Sequence, residues 1–71
     1  HADPVAQFNL GLAYLASGDL ERASAAYARG VERFGAAAAV RIGAVDDLRQ
    51  LVERGVEPAA GHSLLHKYWP R

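Results

Sequence analysis

The chain has 71 residues, and its 8 basic and 8 acidic side chains cancel. A chain of this length forms one small domain, so a single domain over residues 1–71 is expected. Balanced charge lacks the basic excess of nucleic-acid-binding proteins, and the absence of cysteine excludes disulfides and Cys-ligated zinc. No apolar run approaches the roughly 20 residues of a bilayer span, and no secretory signal is present. We therefore expect a cytoplasmic protein that binds neither nucleic acid nor membrane.

Two helices are predicted in the first half of the chain. Asp3 can accept hydrogen bonds from free backbone N–H groups, and Pro4 loses no bond at a first helical position. This helix should run to about residue 17 and end where Gly18 adopts a left-handed conformation. Asp19 should cap a second helix that runs to about residue 34 and stops at Gly35. The apolar face of the second helix, with spacings of three and four, consists of Leu20, Ala23, Tyr27, Val31 and Phe34.

Further helices are predicted in the second half. Residues 36–54 form a helical segment, but Gly43 costs about 1 kcal/mol relative to Ala inside a helix. Two alternatives follow: one kinked helix, or two short helices of which Asp46 caps the second. A last helix should begin at Pro58 and end at Pro70. The residues expected on buried faces are Val40, Ala44, Leu48, Leu51 and Val52, then Leu64, Leu65, Tyr68 and Trp69.

These elements predict an all-α fold. β-Branched residues are few, and no segment alternates apolar with polar residues over the length of a strand. The expected architecture is an antiparallel helical hairpin followed by two or three further packed helices. Because the chain begins with His1 rather than Met, we expect it to be a piece of a longer protein.

Small, aromatic and turn residues follow a definite order in the hairpin. Gly11 and Ala23 are small where the two helices should cross, and Tyr14 and Tyr27 should fill the space above and below that crossing. In this order residues 4–37 resemble a tetratricopeptide repeat, a helix-turn-helix unit of about 34 residues. The residues that carry the resemblance are Leu10, Gly11, Tyr14, Gly18, Asp19, Ala23 and Tyr27.

The resemblance has three departures and covers about half the chain. Gln7 stands where the family usually has a large aromatic residue, Gly30 where it prefers Ala, and Gly35 where it prefers Pro. Residues 38–71 do not repeat the pattern. Since terminal repeats are capped by atypical helices, this half is expected to be a C-terminal cap, and the chain to be the C-terminal part of its protein.

The resemblance implies a non-enzymatic scaffold that binds a protein or a peptide. The bound protein could be a second copy of the same chain. In this family the inner surface of the first helix usually holds the ligand. The corresponding residues, called here the apolar strip, are Val5, Phe8, Leu12, Leu15 and Ala16. Phe8 and Leu12 stand where members that clamp a terminal carboxylate have Lys and Asn, so such clamping is disfavoured. The strip either docks a hydrophobic partner or is covered by the helix at residues 63–69.

Two histidines offer an alternative function. His62 and His66 lie four apart and share a helix face, as metal-binding pairs do. A third ligand is not obvious, although Asp46, Asp47 or Glu57 could reach. Ser63 beside His62 does not face it on a helix, so no catalytic residue and no cofactor are expected. The alternatives to a scaffold are thus a small metal- or ligand-binding bundle and a purely structural end cap of a repeat array.

Overall fold

The computed structural model describes residues 3–70, which form five α-helices and no strand. The helices are α1 (Pro4–Ala16), α2 (Leu20–Phe34), α3 (Ala36–Arg41), α4 (Ala44–Glu53) and α5 (Pro58–Tyr68). The all-α class is confirmed, and three helices follow the hairpin. Within residues 3–70 none of the helices combines the length and the apolarity needed to cross a membrane. His1, on which the expectation of a longer protein rests, lies outside the described residues.

The first two helices begin at the predicted caps. Asp3 Oδ1 accepts a hydrogen bond from the Val5 backbone N–H at 2.9 Å, and Asp19 Oδ1 accepts one from the Arg22 backbone N–H at 3.2 Å. Each carboxylate satisfies a donor that has no partner within the helix. Gly18 lies between the helices with a φ of 84°, a left-handed conformation that Gly adopts without steric cost. The predicted helical hairpin is therefore present, with α1 one residue shorter than expected.

Gly43 divides the third predicted segment into two helices. Its φ of 83° cannot continue a right-handed helix, so α3 ends before it and α4 begins after it. The prediction that Asp46 caps the second helix is wrong, because Gly43 holds the N-cap position and Asp46 lies in the first turn. The prediction that Val40 shares a buried face with Leu48 is also wrong. The break separates their helices, leaving Val40 58% exposed while Leu48 is fully buried.

Two reciprocal contacts bring α1 and α2 together. A β-carbon added at Gly11 would lie 2.8 Å from Tyr27 Cε2, and one added at Gly30 would lie 2.7 Å from Phe8 Cε1. Each helix thus places an aromatic ring on a glycine of the other. The helices are antiparallel, because the earlier residue of α1 meets the later residue of α2. Tyr27 lies within the crossing itself, and the expectation that it fills space beside the crossing is corrected accordingly.

The structure shows what the residues do at two positions where the chain departs from the repeat it resembles. At position 30 an Ala side chain would overlap the Phe8 ring, so glycine is needed there. Gln7, in place of an aromatic residue, donates a hydrogen bond from Nε2 to the Ala26 backbone oxygen at 3.0 Å. The neighbouring residue, Phe8, is buried, with an exposure of 1%.

Helices α3, α4 and α5 cover one face of the hairpin and enclose the core. Trp69, directly after α5, donates a hydrogen bond from its indole Nε1 to the Ala36 backbone oxygen at 2.9 Å. Its ring makes edge contacts with Phe8 and Tyr27, with centroids 6.3 and 6.1 Å apart. Leu20 was expected on the buried face of α2 but is 41% exposed, since it is the first residue of that helix. The buried cluster contains Phe8, Leu15, Ala23, Tyr27, Ala39, Ala44, Val45, Leu48, Leu64 and Trp69.

Candidate functional site

The apolar strip on α1 is not an open groove. Phe8 and Leu15 belong to the core, with exposures of 1% and 0%. Leu12 is half-buried, whereas Val5 and Ala16 at the margin are exposed. Among the described helices, α3 and α4 lie against α1, and the ring of Trp69 contacts Phe8. The strip is therefore covered in its middle, and Trp69 is the residue of the predicted covering segment 63–69 that contacts it; α3 and α4 supply the rest of the cover.

A second surface on the hairpin remains open, and we call it the hairpin groove. It is a depression of about 270 Å³ whose lining residues all belong to α1 and α2. Leu10, which carried part of the repeat resemblance, is 44% exposed in it, and Tyr14 is half-buried beside it. The lining residues are Gln7, Leu10 and Tyr14 from α1 and Arg22, Ala25, Ala26 and Arg29 from α2.

Arginines border the hairpin groove along α2. Arg22 and Arg29 line the groove, and Arg33, four residues beyond Arg29, lies on the same face of the helix but outside the lining. Arg22 forms a loose ion pair with Asp19 at 3.7 Å, and exposed pairs of this kind contribute little. Within residues 3–70 neither Arg29 nor Arg33 forms an ion pair. The groove thus combines an apolar floor with cationic groups that have room for a partner's carboxylates.

The residues of the hairpin groove were not identified as a site from the sequence. The available signal was the spacing of Gln7, Leu10 and Tyr14, three and four apart, together with the arginine spacing on α2. The strip on the neighbouring face of α1 is more apolar, and it was therefore the surface predicted to bind a partner. Two members of the strip, Phe8 and Leu15, are apolar because they belong to the core, which depends on where α3 and α4 pack.

A second depression lies between α4 and α5, and we call it the α4–α5 cleft. It has a volume of about 400 Å³. The two helices approach closely beside it, because a β-carbon at Gly61 would overlap the Val52 side chain. His62 and His66 both line the cleft, as their spacing on one helix face predicts. The lining residues are Arg49, Val52, Glu53, His62, Leu65, His66, Trp69 and Pro70.

The two histidines lack the companions that a metal site needs. Within residues 3–70 no group of three or more His, Cys, Asp or Glu side chains is placed to hold a metal ion. Of the carboxylates considered as a third ligand, Asp46 instead lies 3.8 Å from the Arg49 guanidinium. Since metal sites normally use three or four protein ligands, the arrangement of His62 and His66 does not support zinc binding.

Tyr27 holds the one buried side-chain polar atom without a hydrogen-bond partner among the described residues. Its hydroxyl is enclosed in the core, and the residue is 1% exposed. Burial raises the pKa of the phenol well above its ordinary value of 10.0, and the negative charge of Asp47 raises it further. The phenol therefore stays protonated at neutral pH and offers no base or nucleophile.

Comparisons with known proteins add no relative to this picture. No protein-family model matches the chain, and no curated protein or solved structure is significantly similar to it.

Proposed function

We propose that the chain is a non-enzymatic protein–protein interaction module of the tetratricopeptide-repeat type. The observation that carries the proposal is the hairpin groove: α3, α4 and α5 cover one face of the α1–α2 hairpin and leave this surface open. The close crossing at Gly11 and Tyr27 supports the repeat assignment, because such repeats depend on small residues where their two helices meet. In this proposal α3–α5 act as the cap of the hairpin.

The partner is a helix that carries an apolar stripe bordered by acidic residues. Leu10 and Tyr14 provide the apolar floor, and an amphipathic helix buries its apolar face in a groove of this kind. Arg29 on one side of the groove has no intramolecular carboxylate partner within residues 3–70, and neither has Arg33 one turn further along α2. Opposite charge on the partner would set its orientation and its rate of association more than its affinity.

The proposal is tested by selecting peptides from a displayed library of helices with randomised surface positions. We expect enrichment of sequences that combine leucine-like residues at spacings of three and four with Asp or Glu beside them. Leu10→Asp should weaken binding of the selected peptides at least about tenfold, since it places a charge in the apolar floor. NMR shifts should map to the residues of the hairpin groove.

Charge-reversal variants test whether the arginines of the groove contact acidic residues of the partner. Arg29→Glu should weaken binding about threefold to tenfold, and a peptide with the facing acid changed to Lys should recover it. Arg41→Glu is the matched control, because Arg41 is exposed on α3 and lies outside the groove. The proposal would be overturned if the selected peptides bound the Leu10→Asp and Arg29→Glu variants as tightly as the parent chain. It would also be overturned if they shared no pattern of acidic and apolar residues.

A further inference from the structure

We propose that the α4–α5 cleft binds a small monocarboxylate with an apolar body, such as a branched aliphatic acid. The cleft shares no residue with the hairpin groove, so this proposal stands independently of the interaction function. Its volume of about 400 Å³ is within the range of small-molecule sites. Such sites combine an apolar lining with a few polar groups that converge on the ligand.

The floor of the cleft is apolar and preformed. Val52 on α4 and Leu65 on α5 are half-buried and line it together with Trp69. The hydrogen bond from the Trp69 indole to the Ala36 carbonyl and the edge contacts of its ring fix the orientation of that side chain. A ligand that enters the cleft thus meets a surface that is already ordered, which lowers the entropic cost of binding.

Hydrogen-bond donors border this floor. Arg49 has a side chain only 29% exposed, and the Asp46 carboxylate at 3.8 Å leaves most of its five N–H donors free. A guanidinium presents its donors in a planar fork that matches a carboxylate. His62 and His66 line the same cleft, and a neutral imidazole retains one N–H donor. Three side chains that can donate hydrogen bonds therefore line the same cleft.

The carboxylates beside Arg49 disfavour a ligand with more than one negative charge. Glu53 lines the cleft one helical turn from Arg49 and has no ion-pair partner within residues 3–70. A second anionic group on the ligand would meet this carboxylate and that of Asp46. Repulsion of this kind discriminates against dicarboxylates and phosphate esters. The apolar end of the ligand would lie on Val52 and Leu65.

The experiment uses the fluorescence of Trp69, which is the sole tryptophan of the chain and lines the cleft. Titration with 4-methylpentanoate should give a saturable change with a Kd on the order of 1 mM, as suits a small ligand in a shallow site. The neutral 4-methylpentanamide and the dianion glutarate should each bind at least about tenfold more weakly, because one loses the charge and the other adds a repelled group. Equal binding of the acid and the amide would overturn the proposal.

Two variants test whether Arg49 binds the carboxylate of the ligand. Arg49→Gln should weaken binding of 4-methylpentanoate at least about tenfold, whereas Arg54→Gln, at the end of α4 but outside the cleft, should leave it unchanged. NMR shifts caused by the acid should centre on Leu65 and His66. Unaltered binding by Arg49→Gln, or no saturable change up to about 50 mM ligand, would contradict the assignment. The comparison of acid with amide on the unmodified chain remains decisive if a variant fails to fold.

Discussion

The ring of Tyr27 occupies the space that any side chain at position 11 would need. A β-carbon on Gly11 would lie 2.9 Å from Tyr27 Cδ2 as well as 2.8 Å from Cε2, closer than carbon atoms pack in protein interiors. The contact joins the middle of α1 to the middle of α2, so it sets the distance between the two helices. The hairpin groove, which lies along the same pair of helices, depends on that distance.

Replacing Gly11 with Leu should therefore separate α1 from α2. We expect a loss of about 3 kcal/mol or more in the free energy of unfolding, because the inserted side chain overpacks a crossing that cannot expand without disturbing the core. Urea denaturation measures this loss. Ala13→Leu is the matched control, since Ala13 is exposed on the same helix and its change should stay within about 0.5 kcal/mol. A near-neutral Gly11→Leu would contradict the close crossing.

The helix termini and the small residue at position 11 were predictable because their signals are local. Asp3 and Asp19 cap helices through bonds to residues two and three positions away, and such short-range chemistry can be seen in the sequence. The pairing of Phe8 with Gly30 was not predicted. Its two members are 22 positions apart, and only the packed hairpin shows why position 30 has no room for a side chain.

The candidate sites were harder to predict than the helices. Phe8 and Leu15 belong to the core because α3 and α4 pack on α1, and a helical periodicity cannot tell a covered apolar face from an open one. For a similar reason the sequence did not decide whether Gly43 lies in one kinked helix or separates two short helices. Its cost in a helix interior is about 1 kcal/mol, which tertiary packing can overcome or exploit. His62 and His66 were correctly predicted to share one helix face. The cleft that they line could not be predicted, because its other side is formed by α4.

The hydrogen bond from Trp69 to Ala36 ties the end of α5 to the start of α3. Trp69→Phe keeps an aromatic ring in the core but removes the N–H donor and leaves a smaller side chain. We expect this change to lower the free energy of unfolding by about 1–3 kcal/mol. Tyr68→Phe is the control, because the half-buried Tyr68 hydroxyl makes no hydrogen bond within the described residues. A stability for Trp69→Phe equal to that of the parent would show that the bond contributes nothing.

Removing the Tyr27 hydroxyl should stabilise the fold. The hydroxyl is buried without a partner among residues 3–70, so its loss of hydration on folding is not compensated by a hydrogen bond. Tyr27→Phe keeps the ring that packs on Gly11 and should raise the free energy of unfolding by about 1 kcal/mol. Tyr14→Phe should change stability little, since Tyr14 is only half-buried. A decrease for Tyr27→Phe would instead reveal that the hydroxyl has a partner in solution.

The same hydroxyl should make the fold sensitive to alkaline pH. In the unfolded chain the Tyr27 phenol ionises near its ordinary pKa of 10.0, whereas burial, with Asp47 adding to the effect, raises its pKa in the folded state. Below pH 10 both states hold the proton and stability is unaffected. Above that pH the unfolded state alone releases it, so stability falls by up to about 1.4 kcal/mol per pH unit until the folded-state pKa is reached.

Urea unfolding at about pH 8 and pH 11 tests this linkage, because the two values lie on either side of the unfolded-state pKa. The parent chain should lose about 1 kcal/mol more than Tyr27→Phe between the two conditions, since the variant has no phenol to ionise at this position. Tyr68→Phe, which keeps the buried phenol of Tyr27, is the control and should lose about as much stability as the parent. Equal losses for the parent and Tyr27→Phe would mean that the hydroxyl ionises as readily in the folded state as in the unfolded one, and would contradict its burial.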